Sequence, residues 1–324
     1  MMTARSIGLL SFALVAAVCA TGAAKAQDYP ARTIRIIVPT GPGGSYDVVA
    51  RFIGDQMSKP LGQAVIVENR TGAGTVVGTQ SAIAAPPDGY TLLAGGLSNI
   101  VFNESLYKKA PYDALKQLVP VAIVYKFDYM LVGKSDLPYA NVKDLIAAAK
   151  AKPNALNLAT AGVGTGQQLA AVAFMQATGT KLLEVPYKGA SAVYTDLLGG
   201  RVDVFFDSTT AALPLVKAGK VKGLAILSAQ RSKDAPDVPT MAEEGVRGLE
   251  IDSWIGLFAP AGTPQPVIEK LQKAIAGTMP ELKAKFISVG GDSMTVPSDQ
   301  LGAFVQGEHS RWTKIIKDAG ITLD

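Results

Sequence analysis

Short apolar runs and amphipathic runs alternate along almost the whole chain. The first apolar run, Ile34, Ile36, Ile37 and Val38, is β-branched throughout, which suits a strand buried on both faces. Pro39 cannot donate to a sheet ladder, so that strand is predicted to stop there. Val48, Val49, Phe52, Ile53 and Met57 then recur at helical spacing, with Asp47 in the first turn, where the helix dipole favours a negative charge. The same alternation predicts strands over 64–68, 90–94, 155–159, 181–186, 202–206, 224–227 and 254–259. Helices are predicted up to about 85, over 141–150, across 169–174, up to 198, and from Pro264 onward. Residues 119–133 carry two apolar runs interrupted by Lys126 and Asp128, and there the chain is expected to leave a first domain. The run 254–259 is expected to return to it. Strand–helix alternation of this kind predicts an α/β protein with largely parallel sheets.

Polar and glycine-rich residues cluster just after the predicted strands. The first is followed by Thr40, Gly41, Gly43, Gly44, Ser45, Tyr46 and Asp47, and the second by Gly72 to Thr75. Ser98 and Asn99 follow the third, in a stretch, 95–99, that reads as a loop. Thr160, Gly162, Val163, Gly164 and Thr165 form a second strand–glycine loop–helix unit of the same kind as the first. Lys188, Gly189, Ala190 and Ser191 follow the next strand, and Asp207 with Ser208 the one after. In open α/β sheets ligands bind outside the carboxyl ends of strands. If the two halves of the chain face one another, these loops line one cleft, whose backbone N–H and hydroxyl donors suit a carboxylate.

Several of these residues have two readings. Gly41-Pro42-Gly43-Gly44 is either an anion-binding loop or only a tight βα turn. Asp47 either contacts a ligand or holds the loop and caps its helix, and Asp207 either faces the cleft or bonds a backbone N–H. Tyr46 either touches ligand or packs over the loop. Lys188 either adds charge to the cleft or is solvated surface.

Residues 1–26 change the picture of where the protein works. Arg5, the apolar stretch 7–20 and Ala24-Lys25-Ala26 have the layout of a cleaved secretory signal, too short to span a bilayer. The lone cysteine, Cys19, lies within it behind Val18, which argues against lipid attachment, so the mature chain has no disulfide and relies on its core. The chain is 48% hydrophobic, ample for two domains. Its net charge of +4 includes Arg5 and Lys25, and no basic, aromatic-interleaved patch suggests nucleic acid. Enzyme readings fare poorly. Gly162-Val163-Gly164 with Glu184 resembles a dinucleotide fingerprint, but the third glycine should fall at Gln167. There is no G-x-S-x-G or H-E-x-x-H, and the single histidine, His309, lies in an amphipathic C-terminal stretch that reads as packing or surface.

The motifs IRIIVP, PGGSYDVVAR, ENRTGAGTVVG, PPDGYTLL, SLYKKAPYD, VPYKGASAVYTDLLGGRVDVFF, VKAGKVKGLAI, PDVPTMAEEG and SWIGLFAPAGTP occur in order through the mature chain. Together they resemble the Bug family, periplasmic solute-binding receptors of tripartite tricarboxylate transporters. The resemblance implies a two-lobed Venus-flytrap fold: a signal peptide over 1–26, domain 1 from 27–126 and 254–324, and domain 2 over 127–253. Each lobe is expected to hold a mainly parallel sheet flanked by helices. It also implies a monomer without cofactor, metal or enzymatic activity that carries a small organic carboxylate to membrane permease subunits. Family ligands include aspartate, glutamate, citrate, nicotinate and aromatic dicarboxylates, among which the motifs do not choose. The ligand is typically bridged by two waters to the loop after the first strand and to the glycine loop of the second domain. Those roles fall on Thr40 to Tyr46 and Thr160 to Thr165, with Gly189, Ala190 and Asp207 also in the cleft. The chain departs from the family where Gly166-Gln167-Gln168 replaces a frequent Pro-x-His.

Overall fold

A computed structural model describes residues 29–318, 320 and 322. The signal segment 1–26 lies outside the described residues. From β1 (Ile34–Val38) the chain enters α1 (Ser45–Leu61), β2 (Val65–Asn69), α2 (Val76–Ile83) and β3 (Thr91–Gly96). A π-helix (Leu97–Phe102) leads towards β4 (Leu118–Lys134). Then come α3 (Val142–Ala151), β5 (Asn157–Thr160), α4 (Gly166–Thr178), β6 (Leu183–Pro186) and α5 (Ala190–Leu198). After these follow β7 (Val204–Ser208), α6 (Thr209–Lys217), β8 (Val221–Ile226) and β9 (Asp252–Pro260). The chain closes with α7 (Gln265–Ala276), α8 (Met279–Ser288), β10 (Asp292–Ser293) and α9 (Leu301–Asp318).

The strands form one sheet in the order β2-β1-β3-β9-β4-β7-β5-β6, with β8 and β10 also on β4. It is mixed, which corrects the expectation of mainly parallel sheets. Parallel pairing holds at the two ends, β2-β1-β3 and β7-β5-β6, whereas β9 runs antiparallel to β3 and β4, and β4 antiparallel to β7 and β8. The stretch 119–133 is not two runs but part of one 17-residue strand. Lys126 is exposed and Asp128 half-buried, alternating with buried Tyr125, Phe127 and Tyr129, so the charges mark one face of a strand. Those three aromatics pack along the other face, with ring centroids 5.8 and 5.4 Å apart.

Residues 95–99 also differ from a loop. Gly95 and Gly96 pair with Gly256 and Ile255 of β9, and Ser98 and Asn99 open the π-helix. A Cβ on Gly95 would lie 2.3 Å from the Phe258 ring, so here glycine marks close packing inside a strand rather than a turn.

This topology orients the strand ends. β1 to β3 run in the same direction as β4, because β9 between β3 and β4 opposes both. β4 pairs with β9 up to Asp128 and with β7 from Tyr129, passing from one group of strands into the other. β5, β6 and β7 run against β4. The carboxyl ends of β1–β3 and of β5–β7 therefore point toward each other across the Asp128–Tyr129 junction.

Candidate ligand-binding cleft

The loop after β1 is shaped by one side chain. Gly43 has φ +80°, where a Cβ is disfavoured, and its N–H donates to Asp47 Oδ2 at 3.0 Å. The same carboxylate accepts from Arg51 Nε at 3.0 Å, Arg51 Nη2 at 2.8 Å and Asn69 Nδ2 at 2.9 Å. Asn69 Nδ2 also reaches the Thr40 carbonyl at 3.0 Å. Burial alone would raise the Asp47 pKa, but the hydrogen bonds from Arg51, Gly43 and Asn69 outweigh it and hold the carboxyl below its usual range. In this geometry Asp47 holds the loop.

The second unit repeats the device. Gly164 also has φ +80°, and its N–H donates at 2.9 Å to the side chain four residues on, Gln168 Oε1. Gln168 Nε2 reaches Glu184 at 3.4 Å, which engages the acid that a dinucleotide site would turn toward a ribose. Aligning the two units in sequence at Gly43 and Gly164 sets Gly44 against Thr165, Tyr46 against Gln167 and Asp47 against Gln168.

Between these loops lies a cavity of about 270 Å³. Twelve of the residues singled out by sequence line it: Thr40, Gly41, Gly44, Ser45, Tyr46, Thr75, Ser98, Gly162, Val163, Thr165, Gly189 and Ala190. Gly43, Asp47, Thr160, Gly164 and Asp207 do not, because the first two and Gly164 sit in the loop frames while Thr160 and Asp207 are buried strand ends. Gly72, Ala73 and Gly74 of the second glycine loop, and Lys188, both expected at the cleft, line it too, whereas Thr71, Tyr129 and Gln167 line it without having been singled out for contact. Tyr129 was hidden inside the run read as a domain exit. Aligning the two glycine units would have put Gln167 opposite Tyr46.

Four helices begin at this cavity. Gly44, Thr75, Thr165 and Gly189 are the N-cap residues of α1, α2, α4 and α5, and only Thr165 caps with its own side chain. First-turn N–H groups have no partner within their helix, and each N-terminus favours an anion by about 0.3–1 kcal/mol. Among the described residues lining the cavity Lys188 alone carries charge, and it is exposed. Burial raises the pKa of Tyr46 and Tyr129, so both remain neutral hydroxyl donors. The Thr40 hydroxyl and the Tyr46 hydroxyl, the latter beside Ser98, are buried without a full hydrogen bond from the protein. Ala73 and Thr75, both in the lining, have positive φ although neither is glycine, a local strain offset by Asn103 Nδ2 donating to Thr75 Oγ1 at 2.8 Å.

The two sets of loops touch. A Cβ on Gly74 would fall 1.5 Å from the Val163 carbonyl oxygen. Gly166 N–H donates to Ser98 Oγ at 3.0 Å, and Ser191 Oγ donates to the Pro42 carbonyl. His309 is not in the cavity lining, and its Nε2 lies 3.1 Å from Glu104. No group of three or more His, Cys, Asp or Glu placed to hold a metal occurs among the described residues.

A protein-family profile described as tripartite tricarboxylate transporter family receptor (TctC) matches residues 49–321. A UPF0065 protein in the tcbD-tcbE intergenic region of Pseudomonas sp. strain P51 is 36% identical over 315 residues, 95% of this chain and 92% of that one. The periplasmic binding protein BugD superposes with a TM-score of 0.86 at 35% identity, covering 91% of this chain and 99% of its own. R. palustris Rpa4515 with adipate gives 0.86 at 31% identity, over 91% of this chain and 99% of that one. MatC from Rhodopseudomonas palustris with bound malate gives 0.83 at 30%, over 89% and 100%.

Proposed function

The chain belongs to the tripartite tricarboxylate transporter receptor family, and from that premise we propose that the cavity between the two glycine loops is where it holds its ligand. It is a periplasmic solute-binding protein that delivers a small carboxylate to the membrane permease of such a transporter. The observation that carries the site reading is the convergence of four helix N-termini on a cavity with no acidic residue among the described residues of its lining. Backbone N–H groups of Ser45 and Tyr46 from one side, and of Gln167 from the other, then serve one or two carboxylates directly or through water. Lys188 adds long-range attraction at the rim.

The same reading makes the protein two-lobed, with 27–126 and 254–324 as one lobe and 127–253 as the other, bending where β4 and β9 cross between them. Closure completes a site that neither lobe forms alone. The protein is exported by the segment 1–26, acts as a monomer, and binds without transforming its ligand.

A thermal-shift screen of mature protein against carboxylic acids of three to eight carbons tests the site. A ligand at a hundred times its dissociation constant adds about 2.7 kcal/mol, or roughly 4 °C at this size. No shift with any carboxylate would refute the reading. For the lobes, the radius of gyration from small-angle scattering should fall on saturation with the tightest binder.

A further inference from the structure

Behind the cavity wall lies a carboxylate that the anion-binding frame does not use. Asp207, at the end of β7, is wholly buried and does not line the cavity. Its Oδ1 accepts from Ser208 N–H at 2.8 Å and from Gln167 Nε2 at 3.2 Å, and the buried hydroxyl of Tyr194 stands beside it. Gln167 does line the cavity, and its amide bridges the buried charge to the open space.

An ionised carboxylate can only accept hydrogen bonds, so it fixes which way the neighbouring amide is turned. The NH₂ group of Gln167 faces Asp207, and the carbonyl oxygen is left as the free acceptor; it receives no hydrogen bond from the described residues. Burial pushes the Asp207 pKa up to about 6, which leaves it ionised at pH 7.5. A carbonyl oxygen on the wall, with a negative charge behind it, attracts a ligand O–H or N–H and repels a ligand oxyanion. The rest of the lining is rich in donors, so this acceptor sets a second polarity within one cavity.

We infer that Gln167, oriented by Asp207, makes this receptor select carboxylates that also carry a hydroxyl or ammonium group over otherwise identical plain acids. The inference rests on the carboxylate site proposed above. Gln167 is the residue that contacts the ligand, and Asp207 is a positioning residue. A site built to accept a ligand hydrogen bond is left with a desolvated, unpaired acceptor when the plain acid binds, which discriminates by about ten- to a hundredfold.

Calorimetry at pH 7.5 on the mature protein decides it, using matched triads of three lengths: propionate, lactate and alanine; succinate, malate and aspartate; adipate, 2-hydroxyadipate and 2-aminoadipate. In the triad that binds, the hydroxy or amino acid should bind at least tenfold more tightly than the plain acid. Gln167→Leu, similar in volume but without the acceptor, should bring that ratio to within about threefold, the plain acid losing the penalty of the unpaired acceptor and the hydroxy or amino acid losing its hydrogen bond. Asp207→Asn can donate as well as accept, so it releases the turn of Gln167, and the ratio should fall at least threefold in a protein that still melts cooperatively. A purely structural role for Asp207 would weaken all members of a triad alike. Equal affinities within the triad, or a ratio that survives Gln167→Leu, would overturn the inference while leaving the carboxylate site standing. Binding by none of the nine acids would overturn the inference, and a blank thermal-shift screen as well would overturn the carboxylate reading with it.

Discussion

Gly74 sits where the loop after β2 meets the loop after β5, and alanine there tests whether that meeting is needed to hold ligand. A Cβ built on Gly74 lies 1.5 Å from the Val163 carbonyl oxygen and 2.7 Å from its carbonyl carbon. Ordinary contact between heavy atoms is about 3.5 Å, so one loop must retreat by roughly 2 Å. Both partners are backbone, and no side chain can rotate away to relieve the overlap. Two costs follow. Gly74 has φ +56°, and alanine in that left-handed conformation costs about 1–2 kcal/mol wherever the loop keeps its shape. The overlap, about 1–3 kcal/mol by analogy with overpacked sites, exists only while the loops are together. If binding requires them together, that second cost is subtracted from affinity, a loss of about five- to a hundredfold. Gly62→Ala separates the two, because Gly62 has φ +65° but nothing within 4 Å of its would-be Cβ. Calorimetry with the tightest carboxylate from the screen, alongside melting curves, should find Gly62→Ala less stable but binding like wild type. Gly74→Ala should bind five- to a hundredfold more weakly. A folded Gly74→Ala protein of wild-type affinity would refute the requirement that the loops meet.

Two further outcomes follow from the loop frames and the buried acids. Gln168→Met removes the acceptor for Gly164 N–H and should weaken binding about five- to a hundredfold, since an unmade hydrogen bond costs about 1–3 kcal/mol. Exchanging Gln168→Glu with Glu184→Gln keeps both hydrogen bonds and the net charge, and should restore affinity to within about threefold; calorimetry that finds no rescue rejects the clamp. Asp207 is raised to about 6 when folded, so between roughly pH 4 and 6 the native state binds more protons than the unfolded chain and stability falls as pH rises. Full ionisation costs about 3 kcal/mol. Asp128, raised to about 6 by burial and then by Asp252, adds to the same fall. Urea unfolding of Asp207→Asn at pH 4 and pH 7.5 should therefore show a decline about 2 kcal/mol smaller than wild type, because the unfolded carboxyl is already partly ionised at pH 4, and an equal decline would show that Asp207 is not buried as a charge.

The local units were legible along the chain because local chemistry encodes them. β1, its glycine loop and α1, and β5, its glycine loop and α4, follow from β-branched runs, glycine and helical spacing within some thirty residues each, and the observed elements lie within a few residues of the predicted ones. The motifs also carried the family. What only the tertiary structure decided was nonlocal. The direction of β9, the continuity of β4 and the mixed sheet depend on which strands pair, and hydrophobic period is blind to the partner's direction. Asp47 could be assigned to the loop frame only once Arg51, Asn69 and Gly43 were seen to converge on it. The positive φ fell on Gly43, while Gly44 has φ −78°, a distinction that two adjacent glycines do not reveal. Tyr129 and Gln167 join the cavity because the carboxyl ends of two groups of strands face each other across β4. That juxtaposition is a property of the sheet's path through space, which no window of sequence contains.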